Sequence, residues 1–261
     1  MRRLGMRRLG LVTIAALLLL GAAVAVAAQT EPESFKVGNL NVEIEGGITP
    51  TKLPKKEKAP ITLQVGGSIK SDDGSHPAAL KSLKLEFDKN GELNTKGLPT
   101  CTVGKLISTL TAQAKQLCGK ALVGTGTVTA EIAFPEQAPF SASGPLLIFN
   151  GAPKGGKQVL IFHVHANVPA PTTFVTTAVI SKQGGRFGTK AEIAIPTITS
   201  GQGSLTGFKA KLGKSWTYKG QKQSLLLAQC PTGSLHARGE FLFADGTKGS
   251  GEVVRPCTPA G

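Results

Sequence analysis

Aromatic residues are scarce in this 261-residue chain, with one Trp, one Tyr and 11 Phe. A sugar-binding cleft built from stacked ring faces is therefore poorly supplied. Acidic residues are also few, 16 Asp+Glu against 30 Lys+Arg. This argues against a glycoside hydrolase, which needs a pair of carboxylates. Cys-x-x-Cys is absent, so no zinc knuckle or thioredoxin-like redox site is indicated. Gly-x-Ser-x-Gly and His-Glu-x-x-His are absent too, which removes the commonest signatures of serine hydrolases and zinc peptidases. Only one strongly apolar run occurs, which excludes a polytopic membrane protein. The 33 glycines follow no three-residue period, which excludes a collagen-like chain.

That single apolar run lies at the N-terminus. Arg2, Arg3, Arg7 and Arg8 precede an apolar stretch from Leu11 to Val26, and Ala25-Val26-Ala27-Ala28 follows. Charge, apolar run and small residues in that order are the pattern of a secretory signal peptide spanning 1–28, with a retained signal anchor as the alternative. Removing four arginines from a formal charge of +14 leaves +10 on the mature chain. An exported protein of that charge is drawn to anionic envelope polymers or lipid surfaces. Nucleic acid is excluded as a partner, because no recognition motif occurs and aromatic residues do not interleave with basic ones. The densest basic run contains Lys52, Lys55, Lys56 and Lys58 around Pro54 and reads as a solvated loop.

Four cysteines in the mature part suit an oxidising compartment. They allow three connectivities, of which the sequence-local one, Cys101–Cys118 with Cys230–Cys257, is favoured.

Most of the mature chain alternates with period two, as at Ile61-Leu63-Val65, Leu83-Leu85-Phe87 and Val128-Ala130-Ile132-Phe134. Turn pairs such as Asn90-Gly91, Gly155-Gly156, Lys219-Gly220 and Asp245-Gly246 separate the runs. The pattern predicts an all-β fold, an antiparallel β-sandwich over 35–261, behind a flexible leader at 29–34. An echo between Leu80–Phe87 and Leu205–Leu212 raises a duplicated version, two β domains at 35–135 and 136–261. One segment departs from the pattern. Val103, Leu106, Ile107, Leu110, Ala114 and Leu117 form a stripe at helical spacing, which predicts one short helix between Cys101 and Cys118, stopped by Gly119.

His163-Val164-His165 is the best metal candidate, since residues two apart on a strand share a face. The apolar Leu160, Phe162 and Val164 are expected inward, with the histidines on the opposite face beside Val159 and Ile161. A third ligand would come from His76, His236 or a distant acid. Trp216 and Tyr218 place two rings on one strand face, either as a binding platform or as anchors of the fold. No cofactor is indicated.

Gly97-Leu98-Pro99-Thr100-Cys101, Cys118 to Gly126, Phe149-Asn150-Gly151, Leu226 to Cys230 and Phe243 to Thr247 together resemble a group of uncharacterised, exported, β-rich proteins of high-GC Gram-positive bacteria. The resemblance covers most of 35–257. It rests on turn and disulfide residues, so it implies export, β-architecture and disulfides, and no activity. The leading expectation is a non-enzymatic, secreted or envelope-associated protein with a binding or structural role. The rivals are a metal or small-ligand carrier using His163 and His165, and a secreted hydrolase with a site built from scattered acids.

Overall fold

The computed structural model describes residues 32–261; the expected signal peptide and the first residues of the leader lie outside the described residues. Eighteen strands and two short helices follow one another in the described chain. They are β1 (Glu33–Val37), β2 (Leu40–Thr49), β3 (Lys52–Pro54), β4 (Ala59–Ser71), β5 (Leu80–Asp88), β6 (Gly91–Leu93), α1 (Val103–Leu106), α2 (Thr111–Cys118), β7 (Leu122–Ile132), β8 (Phe140–Lys154), β9 (Lys157–Ala166), β10 (Thr172–Lys182), β11 (Phe187–Ala194), β12 (Gly203–Leu212), β13 (Ser215–Tyr218), β14 (Gln221–Ser224), β15 (Leu226–Ala228), β16 (Ser234–Phe243), β17 (Lys248–Pro256) and β18 (Thr258–Ala260).

The all-β, antiparallel class and the helical segment between Cys101 and Cys118 are as expected. The main strands form one continuous sheet, in the order β1-β2-β4-β12-β7-β8-β9-β10-β11-β5-β16-β17. This sheet curls until its two halves face each other across a core. Val37, Val42 and Ile69 from one end of the order share a cluster with Leu80, Phe241 and Phe243 from the other. A second interior cluster gathers Leu146, Ile148, Leu160, Ala178, Ile180 and Ala191 from the middle strands. Residue 135 falls in the β7–β8 hairpin loop, and the sheet continues across it. β5 lies between β11 and β16, and β12 between β4 and β7, so early and late strands alternate. β3 and β18 form a small parallel pair near the C-terminus.

Local chemistry explains the hairpins. Gly155 and Gly156 both take positive φ, 56° and 73°, between the paired residues Lys154 and Lys157. Two left-handed residues match the twist of the flanking strands, and glycine adopts them without a Cβ clash. Glu33 and Ser34, expected in the flexible leader, pair instead with Ile44 and Glu43 in the β1–β2 ladder.

The end strands β1 and β17 meet through side chains. Among the described residues no hydrogen-bond ladder joins them. A Cβ on Gly249 would come within 2.4 Å of the Val37 side chain, and one on Gly251 within 2.5 Å of the Phe35 ring. The two glycines are therefore the sockets for β1. At the end of the seam Arg255 pairs with Glu33 and donates from Nε to the Gly46 carbonyl at 2.6 Å.

Both disulfides form, Cys101–Cys118 and Cys230–Cys257, with Cα–Cα distances of 5.7 and 6.1 Å. They suit an oxidising, extracellular environment. Among the described residues no helix is long and apolar enough to cross a membrane.

The seam makes a direct prediction. Gly251→Val should lower stability by about 1–3 kcal/mol through overpacking against Phe35. Chemical denaturation of Gly251→Val in the presence and absence of Phe35→Ala checks it. Equal losses in both backgrounds would show that the two positions are not coupled.

Candidate functional site

The segment from Cys101 to Ala121 forms a cap on the outer face of β8 and β9. Strand alternation turns Leu147, Phe149, Val159 and Ile161 away from the interior, and the cap covers them with Leu106, Ala114, Ala121 and the Cys101–Cys118 bridge. The expected continuous helix is broken in two. Ile107, Ser108 and Thr109 are weak helix formers, and Ser108 takes a left-handed φ of 63°. The chain then re-enters a helix at Thr111, with the Leu110 N–H donated to Gln113 Oε1 at 2.9 Å. Gly119 stays right-handed and starts a short 3-10 turn, so it continues the segment where a stop was expected.

The break has a partner beneath it. His163 lies on β9, fully buried, with Nε2 3.0 Å from both the carbonyl and the hydroxyl oxygen of Thr109. The Thr173 hydroxyl donates to the same carbonyl at 2.9 Å, and His165 Nδ1 lies 2.9 Å from the Thr173 hydroxyl. The two imidazoles thus share a face with Val159 and Ile161, as the strand period requires. Leu160, Phe162 and Val164 pack on the interior side. The pair holds the α1–α2 linker. His163 Nδ1 has no hydrogen-bond partner. Burial is the main cause that pushes the His163 pKa below its ordinary value.

The structure does not bring a third ligand to this pair. Among the described residues no group of three His, Cys, Asp or Glu gathers as a metal site. His76 lies elsewhere, with Nδ1 2.7 Å from Glu131 Oε1 and Nε2 3.0 Å from the Ser204 hydroxyl. His236 is engaged with Glu252 at 3.0 Å and with Arg186.

Glu131, His76 and Ser204 have the connectivity of a nucleophilic triad, and their separations of 55 and 128 residues hide it from any motif search. Their chemistry here is different. The Ser204 hydroxyl donates to the Pro77 carbonyl at 2.6 Å, and the residue is 1% exposed. A nucleophilic serine must pass that proton to the imidazole and meet substrate. The chain of bonds instead ties the segment before β5 to Glu131 and Ser204, which face each other across the β7–β12 ladder.

A buried charge lies on β5. Burial disfavours the Glu86 carboxylate, but hydrogen bonds from Gln183 and Arg238 outweigh it and hold the pKa below the usual value. Arg238 and Arg186 also lie over the Phe187 ring, 5.4 and 5.6 Å from its centroid. Beside this network a shallow trough of about 910 Å³ crosses β10, β11, β5, β16 and β17. Its charged lining residues Lys84, Glu192, Glu240 and Lys248 are of both signs, and Lys84 is 3.2 Å from Glu240.

The Trp216–Tyr218 pair is an anchor of the fold. Trp216 packs against the interior cluster and donates Nε1–H to the Lys96 carbonyl at 3.0 Å. Tyr218 lies on Gly97, where a Cβ would be 2.1 Å from the ring. The two rings hold the loop before Cys101, so they do not form an open platform.

The basic run is partly strand. Lys52 begins β3, while Leu53 beside it is fully buried against Cys230 and Cys257. Lys52, Lys55, Lys56 and Lys58 are all exposed, and Lys58 pairs with Glu92 at 2.9 Å. The run is a solvated surface held from below by the second disulfide.

Compared with protein-family models, with curated proteins and with solved structures, the chain matches none.

The buried His163 generates a pH prediction. Its folded-state pKa is depressed, so on acidification the unfolded chain takes up the proton first. The stability it contributes is present above the ordinary imidazole value of about 6.5 and is lost as pH falls below it. His163→Gln retains a donor for Thr109 and removes the titration. Unfolding free energies measured from pH 8 to pH 5 should show the wild type declining relative to this variant in the acid range. A difference independent of pH would refute the assignment.

Proposed function

We propose that this is a non-enzymatic, secreted or envelope-associated β protein that acts by binding or packing against anionic envelope components. The reading begins with the N-terminal arginine, apolar and alanine pattern, which accounts for export. The observation that carries it is how charge is distributed on the folded chain. Glu33, Glu45, Asp72, Glu86, Glu92, Glu192, Glu240 and Glu252 are engaged in ion pairs with Lys or Arg. Much of the acidic complement is thereby spent within the fold.

Part of the unspent positive charge lies on two surface segments, and the rest, including Lys70, Lys81, Lys154, Lys157, Lys182, Lys211 and Lys222, is spread over other strands. One of the two segments is the run with Lys52, Lys55 and Lys56, over Cys230–Cys257. The other is the cap with Lys105, Lys115 and Lys120, over Cys101–Cys118. Among the described residues these six lysines have no ion-pair partner within 4.0 Å. Each segment is braced by a disulfide, so its charges are presented on a fixed backbone. A fixed basic surface attracts polyanions at long range and selects them by charge density rather than by detailed shape.

The expected outcome is salt-sensitive binding. Processed protein recovered from its producer should co-sediment with a teichoic-type polymer or with vesicles containing phosphatidylglycerol at low ionic strength. Binding should weaken strongly at about 0.15 M salt and above, where the Debye length falls to about 8 Å. Failure to bind either material at low salt would overturn the anionic-partner reading.

A further inference from the structure

We propose that the helical cap between Cys101 and Cys118 is a docking surface for an anionic lipid bilayer. The proposal rests on the preceding reading of an anionic envelope partner and names the surface and the occupant.

Ile107, Leu110 and Leu117 are 58%, 50% and 56% exposed. Among the described residues the only other large hydrophobic side chains exposed to this degree are Val168 and Val254. Three of five thus fall within eleven residues of a chain that otherwise hides its apolar groups. Their exposure is not a failure to reach the core. The inward positions of the cap are already filled by Leu106 and Ala114, both fully buried. Leu110 and Leu117 are seven residues apart across α2, so they lie on nearly one line of the helix. Ile107 closes α1 three residues earlier.

Charge specifies the occupant. No Asp or Glu occurs from Cys101 to Ala121, whereas Lys105, Lys115 and Lys120 are exposed there. Apolar groups flanked by lysines, without acids, match the boundary of an anionic bilayer, where side chains enter the acyl edge and ammonium groups stay among the phosphates. A protein partner is less well matched. Three aliphatic side chains cover far less than the roughly 800 Å² per partner of a stable interface. The cap is also rigid in the way such contact requires. The disulfide joins its two ends, and Thr109 is held from below by His163 and Thr173. The apolar tips can therefore enter a membrane without refolding of the chain.

The test uses flotation of the processed protein with vesicles of phosphatidylglycerol and phosphatidylcholine, with vesicles of phosphatidylcholine alone, and binding to soluble polyphosphate. Two variants are compared, Leu110→Ser with Leu117→Ser, and Lys105→Gln with Lys115→Gln. All four positions are exposed, so thermal midpoints should remain close to wild type and serve as the folding check. The expected result is wild-type binding to the anionic vesicles and to polyphosphate, and none to vesicles of phosphatidylcholine alone. The serine variant should bind these vesicles at least tenfold more weakly and polyphosphate as the wild type does. Each Lys→Gln change should cost about fivefold on the anionic vesicles. Unaltered vesicle binding by the serine variant would overturn the cap assignment while leaving the anionic-partner reading intact. Wild-type binding to polyphosphate and to no vesicle would overturn the bilayer in the same way. Concentration-dependent self-association abolished by the serine changes, without vesicle binding, would assign the surface to a second copy and overturn the proposal. Binding to neither vesicles nor polyphosphate would overturn both readings together.

Discussion

Side chains of β1 seated on two glycines of β17 close the sheet, and the interior depends on that contact. A curled antiparallel sheet with open end strands leaves two rows of backbone groups and one flank of its core exposed. Here Val37 and Phe35 fill the gap by entering positions where Gly249 and Gly251 carry no side chain. Arg255 then links Glu33 to the Gly46 carbonyl across the seam. The cluster of Val37, Val42, Ile69, Phe241 and Phe243 forms only because the two ends of the strand order meet there. Loss of the seam would expose this cluster while the middle strands, with Leu146, Ile148, Leu160 and Ile180, kept their partners. The N-terminal and C-terminal strands thus complete a core that the central hairpins cannot enclose alone.

What the sequence reveals follows from the range of each signal. Period-two alternation is local, and it correctly marks the strands and the inward side of β9, where Leu160, Phe162 and Val164 point to the core. Sheet order is not local. Nothing in residues 80–88 states that they will lie between strands beginning at 187 and 234. The apolar stripe over 103–117 correctly signals helix, but periodicity cannot register a single left-handed Ser108 that divides it. The same limit applies to the histidines. Their spacing places both on one face, whereas the burial of His163 depends on a linker 54 residues away. Trp216 and Tyr218 share a strand face as expected, and their use as anchors follows from a loop at 96–97 that the strand pattern does not contain.

The cap also shows why the disulfides stand where they do. Helices of four and eight residues fall below the length at which helices persist alone in water, about 12–15 residues. Leu106, Ala114 and Ala121, with the half-buried Val103, anchor them inward beside the cystine. The Cys101–Cys118 bridge restricts the unfolded alternatives of this segment, a contribution of about 3 kcal/mol in the chain-entropy model. With stability supplied covalently, the outward positions are released from any duty in packing. The second bridge acts similarly under the basic run, where Leu53 alone reaches the cluster with Cys230 and Cys257.

Releasing outward positions from packing has a cost of its own. Exposed Ile107, Leu110 and Leu117 invite association between copies. Lysines 105, 115 and 120 counter it, because like copies carrying an acid-free basic cap repel one another when these faces approach. The same charges lower the barrier to an anionic surface. One set of side chains therefore disfavours self-contact and favours contact with an opposite charge. The discrimination needs no pocket, because it arises from the sign of the field around a small apolar tip.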